Sequence, residues 1–322
     1  MDRPTIIYAA DQTRTGRDPT RLAFLAKRGH LVRIRHGAYV LKEQWELLSE
    51  QQKYGLKADA LARFVKSEPE FCGFSAAMLW GLPLLNIPHE LHILSNAPRR
   101  GRSRNGVQTH YAALTGNISK LSGYQLTDKA RTAIELSLEL PFIESVGIMD
   151  AARRPTWSKP VDNWSAWTES LPRGFPVSVA ELISLAESLP TAASRKRAQF
   201  VIEFSSPLAE SLGESISRAQ MHLERFPPPT LQNVFTTASG RRFRPDFYWK
   251  EAGLVGEFDG KEKYLRQDWS GGQSPGDRVF AEKRREDALR SMGLKVVRWT
   301  WAEAISRPRL RKCLLDAGLE PA

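Results

Sequence analysis

The sequence of 322 residues contains only two cysteines and no long apolar run. Cys72 and Cys313 lie far apart and form no Cys-x-x-Cys pair, so neither a disulfide framework nor a thiolate zinc site is expected. Residues 1–16 hold no apolar core of signal-peptide length, and no apolar segment approaches the roughly 18 residues of a membrane span. We therefore expect a cytoplasmic protein in a reducing compartment, without membrane association.

Signatures of two enzyme classes and of a histidine metal site are also missing. No Gly-rich loop ends in Lys-Ser or Lys-Thr, which argues against a P-loop nucleotide site. The segment "GFSAA" lacks the second glycine of a nucleophile elbow, so Ser75 is expected to cap a helix instead. His89 and His92 are three residues apart on a predicted strand, where they would point to opposite faces. Shared metal ligation by these two histidines is therefore not expected.

Basic residues, by contrast, are abundant. The chain has 47 Lys and Arg against 36 Asp and Glu, a formal net charge of +11. Such a balance favours a polyanionic partner, with nucleic acid first and an anionic membrane surface second. The length predicts two or three domains. The order of predicted elements indicates an α/β fold class, α+β overall.

Residues 1–45 carry the pattern of a winged helix-turn-helix domain. A helix is predicted around Ile6 to Asp11, and a second from the cap at Asp18 to Gly29. The stretch "LVRIRHGAYVL" then alternates apolar and basic residues around a tight turn at His36–Gly37. Two helices followed by a two-stranded wing is the order of a winged helix.

The basic residues of this segment are placed where a winged helix contacts DNA. A recognition helix lies in the major groove, and flanking cations contact phosphates. A small scaffold domain with solvated basic faces is the alternative interpretation. The candidate DNA-binding residues are Arg17, Arg21, Lys27 and Arg28 around the second helix, and Arg33, Arg35 and His36 on the wing.

Residues 46–154 are predicted to form an α/β domain, and residues 155–205 a linker with helices. Between two predicted strands of the α/β domain, the loop "APRRGRSRNG" carries Arg99, Arg100, Arg102 and Arg104. This loop either grips a phosphate backbone or is a solvated hairpin tip, and the sequence leaves both interpretations open. The stretch from Arg153 to Ser178 is rich in Pro, Ser and Trp, as in a loosely packed connection.

The first half resembles the AbiEi family of antitoxins from type IV toxin–antitoxin systems. The resemblance covers roughly Thr5 to Arg154 and rests on "LAKRGHLVRIRHGAYV", "FSAAMLWGLPLL", and "KARTAIELS" followed by "MDAA". It implies a protein that binds double-stranded DNA through its winged helix and represses its own operon. A toxin partner encoded nearby is a further expectation of this resemblance.

Residues 206–322 are predicted to form an α-β-β-β-α-β-α sandwich around one mixed sheet. Its strands contain carboxylates where apolar residues are usual. Glu257, Asp259 and Lys261 share one strand face because the side-chain period is two, and Asp246 lies across the "KEAG" turn. If these strands pair, like charges roughly 7 Å apart repel by about 2 kcal/mol at an effective dielectric of about 20. A divalent cation would turn that repulsion into attraction, and Mg²⁺ takes one or two carboxylates.

This part resembles the restriction-endonuclease-like superfamily, with its PD…(D/E)-x-K signature. Within that superfamily it is most similar to the group of very-short-patch-repair endonucleases, from about Glu210 to Ile305. The resemblance rests on Pro245-Asp246, on "EFDG" and on "EKRREDALRSMGLKVVRWTW". It implies a phosphodiester hydrolase that uses Mg²⁺ or Mn²⁺.

The resemblance also implies residue roles. Asp246 and Glu257 would bind metal, Glu214 on the upstream helix would supply a further acid, and Asp259 would be a metal ligand or would orient water. The lysine expected two residues after the glutamate is Asp259 here. Lys261 or Lys283 would take its place. If neither lysine serves, the domain is an inactive DNA-binding fold within a transcriptional regulator or antitoxin. A third alternative is a nuclease that keeps the site and processes RNA.

Overall fold

A computed structural model describes residues 3–64, 68–95, 103–111, 118–155, 172–237, 240–260 and 290–321. The chain is a mixed α/β protein, as predicted. It divides into two compact units, the first comprising Met1–Glu139 and Pro155–Ile202 and the second Leu140–Arg154 and Glu203–Ala322. None of the helices in the described part combines the length and apolar character needed to cross a lipid bilayer. Each unit is thus built from two separate stretches of the sequence.

The beginning of the first unit is a three-stranded antiparallel sheet, in the order β1-β3-β2, with two short helices. The hairpin turns at His36–Gly37 as predicted, and Gly37 has the positive φ of 73° that a glycine accommodates. The helix predicted from Ile6 begins only at Ala9, because Ile7 and Tyr8 pair with β3 instead. The elements are β1 (Ile7–Tyr8), α1 (Ala9–Arg14), α2 (Thr20–Lys27), β2 (Leu31–Arg35) and β3 (Ala38–Leu41).

The next segment holds a six-stranded mixed sheet in the order β6-β7-β5-β4-β9-β8. This segment contains both helices and strands, as predicted. The elements are α3 (Lys42–Glu46), α4 (Glu50–Phe64), β4 (Glu70–Phe71), α5 (Gly73–Trp80), β5 (Leu91–Ser95), β6 (Ser103–Arg104), β7 (Val107–Tyr111), β8 (Ile118–Leu121), β9 (Tyr124–Thr127), α6 (Lys129–Glu139) and α7 (Phe142–Arg153).

Ser75 lies inside α5 and does not cap it. Cys72 occupies the cap position, and the Ser75 hydroxyl is fully buried. It lies 2.7 Å from the Tyr54 hydroxyl and accepts from the backbone N–H of His92 at 2.8 Å. The helix-cap prediction for Ser75 was therefore wrong, because the helix begins two residues earlier than the serine.

The rest of the chain contains helices and a set of short strands. In the segment predicted as linker and helices, 155–205, the described residues 172–205 include two helices. Arg173 is buried and donates to the Leu79 carbonyl at 2.8 Å. The elements are α8 (Val179–Glu187), α9 (Ala192–Phe204), α10 (Leu212–Leu223), β10 (Thr230–Leu231), β11 (Phe235–Thr236), β12 (Arg242–Phe243), β13 (Phe247–Trp249), β14 (Leu254–Asp259), β15 (Lys295–Thr300), α11 (Trp301–Ala304) and α12 (Arg307–Asp316).

Helix α7 groups with the second unit, whereas the boundary predicted at residue 154 places it with the middle segment. Two contacts with α10 explain the difference. A Cβ on Gly147 would lie 2.3 Å from Leu212 Cδ1, so only glycine permits this close approach. Asp150 is fully buried, and its carboxylate lies 2.9 Å from Arg218 Nη2. Separating the two helices would leave each of these charges without its partner.

The sheet of the second unit has the order β10-β13-β14-β15, and β11 and β12 form a separate pair. Strand β13 runs antiparallel to β14, and β15 runs parallel to it. One face packs Phe258 and Trp299 into a core with α12. Gly256 lies under that core, where a Cβ would stand 2.7 Å from the Trp299 ring. The helix predicted between the third and the fourth strand falls almost wholly within 261–289, outside the described residues.

Candidate metal and nucleic-acid sites

Asp246 is joined directly to the strand that carries Glu257 and Asp259. The β13–β14 register pairs Phe247 with Gly256, so one residue further Asp246 stands opposite Glu257. The Asp246 Oδ2 accepts from the backbone N–H of Phe258 at 2.9 Å. Because Phe258 lies between Glu257 and Asp259, the three carboxylates occupy the same end of the sheet.

Glu257 has a cationic neighbour on the next strand. The parallel register pairs Glu257 with Arg298 of β15, and Arg298 Nη2 lies 3.3 Å from Glu257 Oε2. Both side chains lie on the face opposite the Phe258–Trp299 core, and Glu257 is buried. The sequence analysis missed Arg298. Its signal was a single arginine in the buried-looking strand "LKVVRWTW", on the strand face that also carries Val296.

Glu214 is held at the start of α10. The helix is capped by Ser211, whose hydroxyl donates to Glu214 Oε1 at 2.7 Å and accepts from the Glu214 N–H at 3.2 Å. Its Oε2 accepts from the backbone N–H of Glu210 at 2.7 Å. Ser-x-x-Glu is a helix-start signature in the sequence. The buried Glu214 is therefore a capping residue in this structure, and its role as a further acid stays a prediction.

Gln232 links Glu214 to Asp246. Its side-chain Nε2 donates to Glu214 Oε2 at 3.3 Å, and its backbone N–H donates to the Asp246 carbonyl at 3.2 Å. Gln232 has a φ of 53°, a region that non-glycine residues rarely adopt. Such strain persists where surrounding contacts fix it. Glu214 and Asp246 thus belong to one hydrogen-bonded network.

Arg154, at the end of α7, is a second cation that the sequence analysis did not assign to this network. Burial lowers the pKa of Arg154, and the charge of Glu214 is the largest effect that opposes this shift. Within the described part of the chain, its Nε and Nη2 are buried without a hydrogen-bond partner. The region that holds Asp246, Glu257, Asp259 and Glu214 is here called the acidic end of the second unit. Two of its carboxylates, Glu257 and Glu214, therefore have a basic side chain nearby.

The remaining predicted site residues can be placed only in part. Asp259 is partly exposed at the end of β14. Lys261 and Lys283, the two candidates for the missing lysine, lie outside the described residues. Asp246, Glu257, Asp259 and Glu214 are brought to one region by the contacts above, and the lysine stays a prediction.

Carboxylate oxygens are the hard ligands that Mg²⁺ and Mn²⁺ prefer. Over the residues that the structure describes, no group of three or more His, Cys, Asp or Glu side chains is arranged to hold a metal ion. Mg²⁺ needs only one or two protein carboxylates, because it keeps several of its waters. Asp246 and Glu257, opposite one another across β13 and β14, fit that requirement by their chemistry and their placement.

The basic residues of the first unit differ in their exposure to solvent and in their hydrogen bonds. Arg35 is half-buried, and its Nη1 donates to the Asn105 carbonyl at 3.4 Å, so burial lowers the pKa of Arg35. Arg35 is thus engaged by the β6–β7 turn, which the wing pattern did not indicate. Arg99, Arg100 and Arg102 lie outside the described residues, and only the backbone of Arg104 is described. The exposed predicted residues are Arg17, Arg21, Lys27, Arg28, Arg33 and His36.

Helix α2 has one buried side and one basic side. Leu22 packs with Leu31 and Tyr39 on the buried side. The opposite side, here called the basic face of α2, is exposed and consists of Arg21, Phe24, Lys27 and Arg28. The sequence analysis missed Phe24, although an apolar residue off the Leu22–Leu25–Ala26 stripe was the signal.

No family model matches the chain. Two proteins of Mycobacterium tuberculosis, uncharacterized protein MT2308 of strain CDC 1551 / Oshkosh and uncharacterized protein Rv2248 of strain ATCC 25618 / H37Rv, are each similar to it. Each is 27% identical over 271 residues, covering 84% of this chain and 86% of the relative. Among solved structures, the RV2827C protein from Mycobacterium tuberculosis aligns over 63% of this chain and 72% of its own, with a TM-score of 0.39 and 17% identity. The sequence similarity to the two relatives is too long to fall within either unit alone.

Proposed function

We propose that this chain binds double-stranded DNA through its first unit and hydrolyses phosphodiester bonds with its second unit, using Mg²⁺ or Mn²⁺. The observation that carries the catalytic part is the Asp246 bond to the Phe258 N–H. This bond holds the Asp246 carboxylate against β14, where Glu257 and Asp259 flank Phe258. Carboxylates that are clustered in this way are typical of sites that bind a cation or a substrate.

The architecture supports this proposal. The antiparallel β13–β14 pair, the parallel β15 and the helices α10 and α12 are among the elements that the resemblance to the restriction-endonuclease-like superfamily implies. The helix pair and three-stranded sheet of residues 3–41 likewise match a winged helix-turn-helix. We propose a restriction-endonuclease-like fold for the second unit and a winged helix-turn-helix fold for residues 3–41. The resemblance to the AbiEi family supports the proposed fold of the first part. A toxin partner remains part of the same proposal.

The residues would divide the chemistry as follows. Asp246 and Glu257 would hold the metal, with Asp259 as a further ligand or as the acid that orients water. When bound, the metal lowers the pKa of water and neutralises the charge that develops on the phosphate oxygens. Gln232 keeps Glu214 next to the Asp246 backbone, and Arg298 sets the position of the Glu257 carboxylate. Lys261 or Lys283 would stabilise the charged transition state.

A plasmid nicking assay tests the catalytic part. We expect the full-length protein to convert supercoiled DNA to open circles with Mg²⁺ or Mn²⁺ and not with EDTA. Glu257→Ala should lower the rate on the order of 100-fold or more, because metal catalysis supplies several kcal/mol. Asp259→Ala, at a less buried position, gives a second variant if Glu257→Ala folds poorly.

The matched control is Glu251→Ala, which removes an exposed carboxylate from the turn between β13 and β14. We expect this variant to cleave like the unmodified protein. Equal activity of Glu257→Ala and Glu251→Ala would reject the assigned site. Preferred cleavage of a structured RNA over duplex DNA would transfer the proposal to the RNA-processing alternative.

An inactive, purely DNA-binding second unit is the second candidate. The Arg298–Glu257 ion pair favours it, because a carboxylate already neutralised by arginine has less need of a cation. Full-length protein that binds duplex DNA tightly and shows no nicking with either metal would establish this candidate. Repression of the chain's own promoter in a reporter strain would then indicate the regulator function.

A further inference from the structure

The basic face of α2 has a large apolar side chain among its cations. Phe24 is 56% exposed, and the Arg28 guanidinium carbon lies 5.3 Å from the centre of its ring. Arg21, Phe24 and Arg28 follow at i, i+3 and i+7, so they share one side of the helix. The aromatic ring therefore points away from the core that Leu22, Leu31 and Tyr39 build.

We propose that Phe24 is a sequence-reading residue, which contacts base edges in the major groove of duplex DNA and prefers a thymine. This inference rests on the proposed DNA binding by the first unit. A phenyl ring offers no hydrogen bond, and its specific partner in the major groove is the C5-methyl group of thymine. The cations on both sides of the ring are suited to phosphate or guanine contacts. Phe24 supplies discrimination, and its neighbours supply affinity.

The charge of this surface favours DNA over a protein partner. Every charged residue on the basic face of α2 is a cation, and Arg17 and Arg33 add to it. Asp18 lies before the first residue of α2. Its carboxylate lies at the helix start, where it accepts from the N–H and hydroxyl of Thr20 at 2.8 and 2.7 Å. A polyanion with apolar groups in a groove fits a ring surrounded by cations.

The test selects duplexes that bind the full-length protein from a random-sequence pool. We expect the unmodified protein to enrich a motif with at least one fixed thymine. Phe24→Ala should lose the preference at that position by about 5- to 10-fold, in the range of a single mismatched base pair. Its salt dependence should be unchanged, because no phosphate contact is lost. Leu47→Ala is the control, since Leu47 is a 67% exposed apolar residue outside α2.

Replacing the fixed thymine by deoxyuracil removes only the methyl group. The unmodified protein should then lose the same factor, whereas Phe24→Ala should bind both duplexes equally. An unchanged motif in Phe24→Ala would overturn the role of Phe24 and leave DNA binding intact. A Phe24→Ala variant with an altered oligomeric state and an unchanged motif would also overturn it, and would assign Phe24 to a protein contact. Absence of any duplex binding by the unmodified protein would overturn the proposed function itself, and this inference with it.

Discussion

The charged residues of the two units exist in different surroundings. On α2 of the first unit, the cations are exposed and sit on a helix whose other side forms the core. At the acidic end of the second unit, carboxylates lie on buried strands and at a helix start, with arginine or backbone partners. Exposed charges act mainly on a partner in solution, whereas buried charges act first on the stability of their own fold. The difference shows that a carboxylate on a strand is not by itself evidence of a metal.

The largest difference should appear when a buried pair is broken. We expect Asp150→Ala to destabilise the second unit by about 3–5 kcal/mol, because Arg218 keeps its charge and loses its partner. The measurement is hydrogen exchange of α7 and α10 amides in the full chain. Asp316→Ala is the control, because its pair with Lys312 is exposed to solvent and should contribute little to stability. Equal exchange in the two variants would remove the contrast between buried and exposed charges.

The double substitution Asp150→Ala with Arg218→Met should cost less than Asp150→Ala alone. An apolar side chain of similar length leaves no uncompensated charge behind. A double variant that is less stable than the single one would show that Arg218 contributes through its bond to the Phe204 carbonyl and its packing on the Phe204 ring instead.

His92 tests whether the first unit also contains a charge-sensitive interior. Burial, together with the neighbouring charge of His110, lowers the pKa of His92 to about 4, although Glu90 opposes the shift. The unfolded chain binds this proton near pH 6.5, so between pH 6.5 and 4 it binds more protons than the folded chain. The first unit should therefore lose stability as the pH falls through this window, by on the order of 3 kcal/mol.

The check compares His92→Gln with His89→Gln in urea unfolding at pH 7, 5 and 4. His92→Gln should lose most of the acid dependence, and His89→Gln, at an exposed position, should retain it. Identical acid dependence in both variants would mean that His92 is protonated in the folded state. The His92–His110 bond, with Nδ1 and Nε2 2.9 Å apart, was not visible in the sequence because the two strands are distant along the chain.

Glu257→Gln compares two effects of the Glu257 charge, its pair with Arg298 and its binding of Mg²⁺. We expect the metal-free variant to be less stable by about 1–2 kcal/mol, because the partly buried Arg298 loses its charge partner. Mg²⁺ at about ten times its Kd should stabilise the unmodified protein by roughly 1.4 kcal/mol and the variant by much less. Melting curves with EDTA and with Mg²⁺ measure both effects. A variant that melts higher without metal would instead indicate that repulsion from Asp246 and Asp259 dominates.

The smallest effect separates two arginines of the same strand, β2. Arg33 is exposed, whereas Arg35 donates to the Asn105 carbonyl. Arg33→Ala should reduce the salt dependence of duplex binding by about one unit of slope, and Arg35→Ala should change it less. Binding isotherms at several salt concentrations give both slopes. The reverse order would show that Arg35 leaves its turn when DNA binds.

Much of the local structure could be predicted from the sequence. The turn at His36–Gly37 follows from neighbouring residues, and the opposition of Asp246 and Glu257 follows from the "KEAG" turn between their strands. Short turns fix the register of antiparallel strands, so these predictions need no distant information.

The features that the sequence analysis did not predict depend on contacts between segments that are distant along the chain. Arg298 faces Glu257 across a parallel pair, whose register no short turn defines. Arg35 meets Asn105, and α7 meets α10, through packing that no local pattern encodes. Gly147 was the one local sign of the last contact, because a glycine inside a helix often marks a close approach.

Helices α7 and α10 pack against each other but lie far apart in the sequence, and this separation has a consequence during protein synthesis. Helix α7 leaves the ribosome with Ile148 and Met149 on its apolar side, and its partner α10 begins only at Leu212. At about 5–20 residues per second, the helix waits roughly 3–12 s for that partner. Throughout this interval the nascent chain presents apolar surface together with an unpaired Asp150. A truncated product that ends near Arg154 would keep this surface permanently, so aggregation and chaperone binding are expected for it.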